Sequence, residues 1–120
     1  FANTLDADLN FIKDATLDAA TEIEAITQFI IEQAAENVDF PNAAAVDYLH
    51  AVGLLSFAYM FAKIAAAAKD KSGDFYQNKL ALAQYFVDRI LPELDSRLAK
   101  IKAGSDLIMN FSEDYFTNQA

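Results

Sequence analysis

Asp47 and His50 stand three residues apart in the run DYLHAVG and would share one face of a helix. A carboxylate and an imidazole at that spacing make half of the ligand set of di-metal helical bundles. Those bundles need two such pairs plus two further inward carboxylates. His50 is the only histidine, so no second pair exists and no metal site is expected. The same count leaves a serine–histidine–carboxylate relay dependent on His50 alone, and no serine sits in the strand–turn–helix elbow that such a nucleophile uses. The absence of cysteine excludes a thiolate nucleophile, a thiolate zinc site and a disulfide framework. No glycine-rich loop is present to cradle phosphates. The chain is therefore expected to hold no catalytic, cofactor-binding or metal-binding residue of its own.

Asp47 and His50 belong to the first arm of a long helical hairpin, residues 43–104. That arm, predicted over about 43–69, is apolar on nearly every side. A helix of that kind is expected to be enclosed by protein, so the chain reads as built around it. Tyr48, Val52, Leu55, Tyr59 and Ala62 mark one face, and Val46, Leu49, Gly53, Phe57, Met60 and Ile64 another. Gly53, with Ser56 nearby, would admit a neighbouring helix closely. Residues 51–68 have the length of a membrane span, yet Lys63 interrupts them, Asp47 and His50 precede them, and alanine fills five of the last seven positions. A buried bundle helix, not a membrane span, is the expectation.

The remaining elements are set by spacing. Leu5, Leu9, Ile12, Thr16, Ile23, Ile26, Ile30 and Ala34 predict an amphipathic helix over about 3–36, with one skipped turn. Asp6 and Asp8 suit its positive N-terminal end. Asp14, Asp18 and Glu22 stack on its outer face, each like-charge step costing roughly 0.2–0.5 kcal/mol. Residues 37–41 read as a turn, with Asn42 as N-cap of the second helix. The short polar link DKSGD makes the hairpin arms antiparallel neighbours. Along the second arm Tyr76, Leu80, Ala83, Val87, Ile90, Leu94, Leu98 and Ile101 form a stripe. Pro92 should kink that arm, because it cannot donate to the Asp88 carbonyl. Glu93 and Arg97 are placed to pair, and Gly104 to cap the helix C-terminus. A short segment over 107–116 is expected to cover the bundle end with Leu107, Ile108, Phe111, Tyr115 and Phe116. Phe57, Phe61, Phe75, Tyr76, Tyr85 and Phe86 are expected to meet where the arms pack. The fold class predicted is all-α: an antiparallel bundle of three long helices plus a short C-terminal helix.

Composition bounds the function classes. The 120 residues suit one domain, 1–120, able to bury roughly 65% of its unfolded surface. Scarce glycine (3) and proline (2) argue against a turn-rich β-fold. A formal charge of −9 makes nucleic acid and anionic membranes unfavourable partners. Residues 1–62 hold ten carboxylates and one base, whereas residues 63–102 hold eight bases and five acids, so the two halves should attract. The start FANTLDADLNF has no basic region or sustained apolar core, so no secretory signal is read, and a cytoplasmic setting is expected. The initial Phe1, in place of Met, is read as the start of a fragment cut from a longer protein.

The run AVDYLHAVGLLSFAYMFAKIAAAA, then FYQNKLALAQYFVDRILPELDSRLAKIKAG and the trailing DLIMNF, resembles the C-terminal helical domain of the acyl-CoA dehydrogenases. The branch that includes the 3-methylmercaptopropionyl-CoA dehydrogenases is the one it is most similar to. The likeness lies in DYLH followed by Gly53, the YMFAK step, FY..KLA.A.YF, and LPE ahead of a terminal AG. It covers residues 42–112; residues 1–41 fit by helical character and position. The resemblance implies a parent flavoenzyme that oxidises acyl-CoA thioesters to 2-enoyl-CoA, using FAD and a glutamate base that both lie upstream of this chain. It further implies that this chain is silent in catalysis, packs on the catalytic body and belongs to a homo-oligomer. A free-standing bundle offering its acidic first helix to a basic partner is the alternative.

Overall fold

A computed structural model describes residues 7–112 and is helical nearly throughout. A 3₁₀ turn, Ala7–Leu9, leads into α1 (Asn10–Glu36). It is followed by α2 (Phe40–Ala68), α3 (Asp74–Tyr85), a π-helical turn (Phe86–Ile90), α4 (Glu93–Ala103) and a single turn α5 (Asp106–Met109). No strand occurs among the described residues. The all-α bundle with three long helical arms is thus as the spacing predicts. The expectations placed on Leu5, Asp6, Tyr115 and Phe116 lie outside the described residues.

α2 lies between α1 and the returning α3–α4 arm, and α1 meets that arm only sparingly. The layer is thin: the backbone extends 65 × 35 × 14 Å, with a radius of gyration of 19.1 Å. A compact chain of this length would have about 13–14 Å. Burial in α1 falls on Ile12, Thr16, Ala19, Ile23 and Ile26, with Leu9 just before them. Ala19 occupies the turn that the apolar spacing skipped, and Thr16 returns its hydroxyl to the Ile12 carbonyl at 2.7 Å. In α2 the buried line is Phe40, Ala44, Ala51, Leu54, Ala58, Ala62, Ala65 and Ala68. Small side chains at i, i+3, i+4 steps let both flanking helices come close, so α2 contributes little volume and much proximity.

Several expectations are corrected. α2 begins at Phe40 with Pro41 in its first turn, so Asn42 is already helical and caps nothing. The fixed φ of proline and its missing N–H suit that position. The connecting turn is fastened by Asn37, whose Oδ1 accepts from the Asp39 amide at 3.0 Å while its Nδ2 donates to Ser105 Oγ at 2.8 Å. Pro92 interrupts the second arm through the π turn before it: the Leu91 amide reaches back five residues to the Phe86 carbonyl at 2.8 Å. The extra residue shifts the register, so Phe86 and Leu91 turn inward and Ile90, expected in the stripe, is exposed. Leu80 and Val87 are half-buried. Gly104 caps α4 with φ 78°, as expected, and a Cβ there would meet the Phe40 ring at 3.5 Å. The C-terminal turn covers nothing with Leu107, Ile108 or Met109, which are all exposed, and Phe111 also remains on the surface.

The largest correction concerns α2 itself. It is long and apolar enough to cross a membrane, by composition, yet 33% of its most apolar stretch is buried. Among the described residues two arms flank it, and three helices in a thin layer leave one side of the middle helix open.

Candidate functional site

Asp47 and His50 do not act together. α2 turns Asp47 toward α4, where Arg97 Nη1 donates to its Oδ1 at 2.9 Å; both side chains are about four-fifths covered (20% and 19% exposed). Arg97 also donates through Nη2 and Nε to Glu93 Oε1, at 2.9 and 3.2 Å. The bond to Asp47 first, and those to Glu93 second, raise the already high pKa of the guanidinium. Asp47 is therefore the counter-ion that ties α2 to α4, while His50 lies exposed one turn away. Sequence reasoning foresaw Glu93–Arg97 but not Asp47–Arg97. The charge asymmetry between the halves pointed to it: Asp47 lies in the acidic half and Arg97 in the basic one.

A groove of about 530 Å³ runs between α1 and α4, lined by Glu22, Ala25, Ile26, Phe29, Asp95, Leu98, Ala99 and Lys102. Burial pushes the Glu22 carboxyl up first, Asp95 and Asp18 add to this, and Lys102 opposes it. The acidic and basic halves thus meet here with like charge facing like charge. Among the described residues no group of three or more histidine, cysteine, aspartate or glutamate side chains converges in a manner that could hold a metal ion.

The aromatic side chains expected to cluster do so in part. Phe61 stacks on Phe86 with ring centres 4.9 Å apart, and Phe75 meets Tyr76 edge-on at 5.2 Å. Phe57, Phe75 and Tyr85 instead face outward. Tyr48 turns toward α1 and shares a hydrogen bond with Thr27 at 2.7 Å.

What the fold does present is a surface. Val46 (63% exposed), Leu49 (71%), Phe57 (59%), Met60 (53%) and Ile64 (37%) run down the side of α2 opposite the alanine seam. Gly53 lies among them, and a Cβ built on it would meet nothing within 4 Å. The close helix approach expected at Gly53 is absent among the described residues of this chain. The hollow above it, about 270 Å³, is edged by Leu49, His50, Leu54, Phe57 and Glu93. Two apolar grooves between α1 and α2 widen the same side, one passing Ile31 and Leu49, the other Leu17 and Met60. Contiguous apolar exposure of this kind marks a surface made to be covered. Its signal was present in the sequence as the second apolar face of α2. Periodicity could not say that the described residues leave it bare.

A family model described as "Acetyl-CoA dehydrogenase C-terminal like" matches residues 1–112. No curated protein and no solved structure matches the chain.

Proposed function

The chain belongs to the acetyl-CoA dehydrogenase C-terminal-like family, and from that membership we propose that it is the non-catalytic accessory domain of an FAD-dependent acyl-CoA dehydrogenase. The observation that carries this reading is the family match over nearly the whole chain. Two features support it: Asp47, first suspected of chemistry, serves as a helix tie, and the feature left over is an apolar face suited to packing. In this reading the FAD site and the glutamate base lie in the catalytic body that precedes this domain. The parent oxidises acyl-CoA thioesters to 2-enoyl-CoA in the cytoplasm, as a homo-oligomer. DYLH, YMFAK and the LPE triplet favour the branch that includes the 3-methylmercaptopropionyl-CoA dehydrogenases. The domain acts by packing, helping to shape either the acyl-CoA end of the site or the contact between subunits.

Two measurements test this. The purified chain should carry no flavin absorbance and show no acyl-CoA oxidation. Deleting it from the full-length enzyme should lower flavin retention, turnover or subunit association. A flavin held by the isolated chain, or a deletion that leaves all three unchanged, overturns the assignment.

A further inference from the structure

We propose that the exposed stripe of α2 is a self-association surface, on which a second copy of this chain packs its own α2 antiparallel about a two-fold axis at Gly53. The spacing is self-complementary. Val46 and Leu49 precede Gly53 by seven and four residues, and Phe57 and Met60 come after it by four and seven. An antiparallel partner centred on Gly53 therefore sets Leu49 of one copy against Phe57 of the other, and Val46 against Met60, each contact made twice. That is the reciprocity a two-fold interface demands. Gly53, with open space where a side chain would stand, lets the two backbones approach at the crossing. Leu49 and Phe57, which edge the hollow, supply the side chains that fill it from the other copy.

Charge favours the same geometry. The six stripe positions carry no ionisable group, and the acids nearest them, Asp47 and Glu93, are both held by Arg97. Asp18 and Glu22 face α4 and line the clefts on that side, and neither lines the grooves beside the stripe, so two copies of a −9 chain can meet along α2 without bringing these carboxylates together. Meeting through that side would do the opposite. From Val46 to Met60, the part that pairs with itself about Gly53, the stripe runs about 21 Å, at 1.5 Å per residue. The inference rests on the accessory-domain reading only for its place in an enzyme, where it would make this domain part of the subunit contact.

The test uses the 120-residue chain alone, by sedimentation equilibrium from micromolar to hundreds of micromolar, with helicity tracked by circular dichroism. The expected result is a mass approaching twice that of one chain. Phe57→Asp and Leu49→Asp should each weaken association at least tenfold with helicity retained, whereas Lys71→Asp, in the loop after α2, should leave it unchanged. The chain lacks cysteine, so Gly53→Cys gives a direct geometric check: mild oxidation should link two copies rapidly. His50→Cys and Ser56→Cys should link quickly only when mixed with one another. A monomer at every concentration overturns the proposal, as does a dimer indifferent to Phe57→Asp and Leu49→Asp. A monomer that instead binds a separately produced acyl-CoA dehydrogenase body through this stripe also overturns it, while leaving the accessory-domain assignment standing.

Discussion

The two sides of α2 invert the usual distribution of side-chain size. Its buried line is alanine at six of eight positions, Phe40 and Leu54 being the others, whereas the side facing solvent carries Val46, Leu49, Phe57, Met60 and Ile64. Burying a large apolar side chain is worth roughly 1.5–3 kcal/mol, so an isolated domain would be expected to put these residues inside. The alanine side sets how closely α1 and the α3–α4 arm approach, and those neighbours bring the bulk: Ile12, Ile23 and Ile26 from one, Phe86, Leu94 and Ile101 from the other. The outer side keeps its bulk uncovered among the described residues.

The contrast breaks most sharply at phenylalanine. Phe86→Ala, which empties a fully buried site, should cost about 3–5 kcal/mol in urea unfolding. Phe57→Ala should change monomer stability by no more than about 0.5 kcal/mol. A large loss at Phe57 in dilute monomer would mean that the outer side contributes to the core after all. Leu98→Ala belongs with Phe86, at about 2–5 kcal/mol. Leu80→Ala, expected from the stripe to match Leu98, should cost less, because Leu80 is half-buried.

Next in size is the tie between α2 and α4. Arg97→Ala removes charge-assisted bonds to two carboxylates and leaves the largely covered Asp47 without its cation, and it should lower stability in thermal or chemical denaturation by more than Glu93→Ala does. Glu93→Ala, which removes the exposed half of the pair, should cost less than about 1 kcal/mol. Comparable in size is added volume. Ala58→Leu should destabilise by about 1–3 kcal/mol because its side chain has no room, whereas Gly53→Leu should be tolerated or should stabilise the monomer by up to about 1 kcal/mol.

The smallest effect concerns charge on α1. Glu22 has its pKa raised in the folded state, by burial and then by Asp95 and Asp18, so folding favours its protonated form. Its ionisation therefore costs stability as pH rises through the folded pKa, and lowering the pH through that range restores it. Glu22→Gln should stabilise the chain at pH 7 by about 0.2–0.5 kcal/mol, the scale of one like-charge i, i+4 pair. The gain should disappear once both forms are neutral in acid, as paired melting curves at the two pH values would show. Glu32→Ala, on the exposed side of the same helix, should be near neutral at both.

Helix positions were readable from spacing because α1 and α4 have one apolar side each, and that side is the one buried. α2 defeated the same logic. An apolar residue at almost every phase leaves no preferred side, so the choice of alanines for the interior came from how its neighbours could approach. Ile90 was misplaced for a different reason: a single five-residue backbone step before Pro92 rotates the rest of the arm, and apolar spacing is blind to it. Asp47 and His50 showed the limit of pairing by sequence distance, since Arg97, fifty residues away, captured the carboxylate. The acyl-CoA dehydrogenase relationship was legible through packing residues, and the family match extends it back to residue 1.

The Asn37–Ser105 bond and the Phe40–Gly104 contact latch the end of the bundle where α1 passes into α2 and α4 terminates. At the opposite end Lys71, Ser72 and Gly73 are exposed, in the short link that joins α2 to α3. Thermal fraying should thus begin at the hairpin tip and travel toward the latch. Amide deuterium uptake should then be greater around Ala68 than around Ala51, within the hydrogen-bonded body of α2, turning a single asparagine into the anchor of a stability gradient.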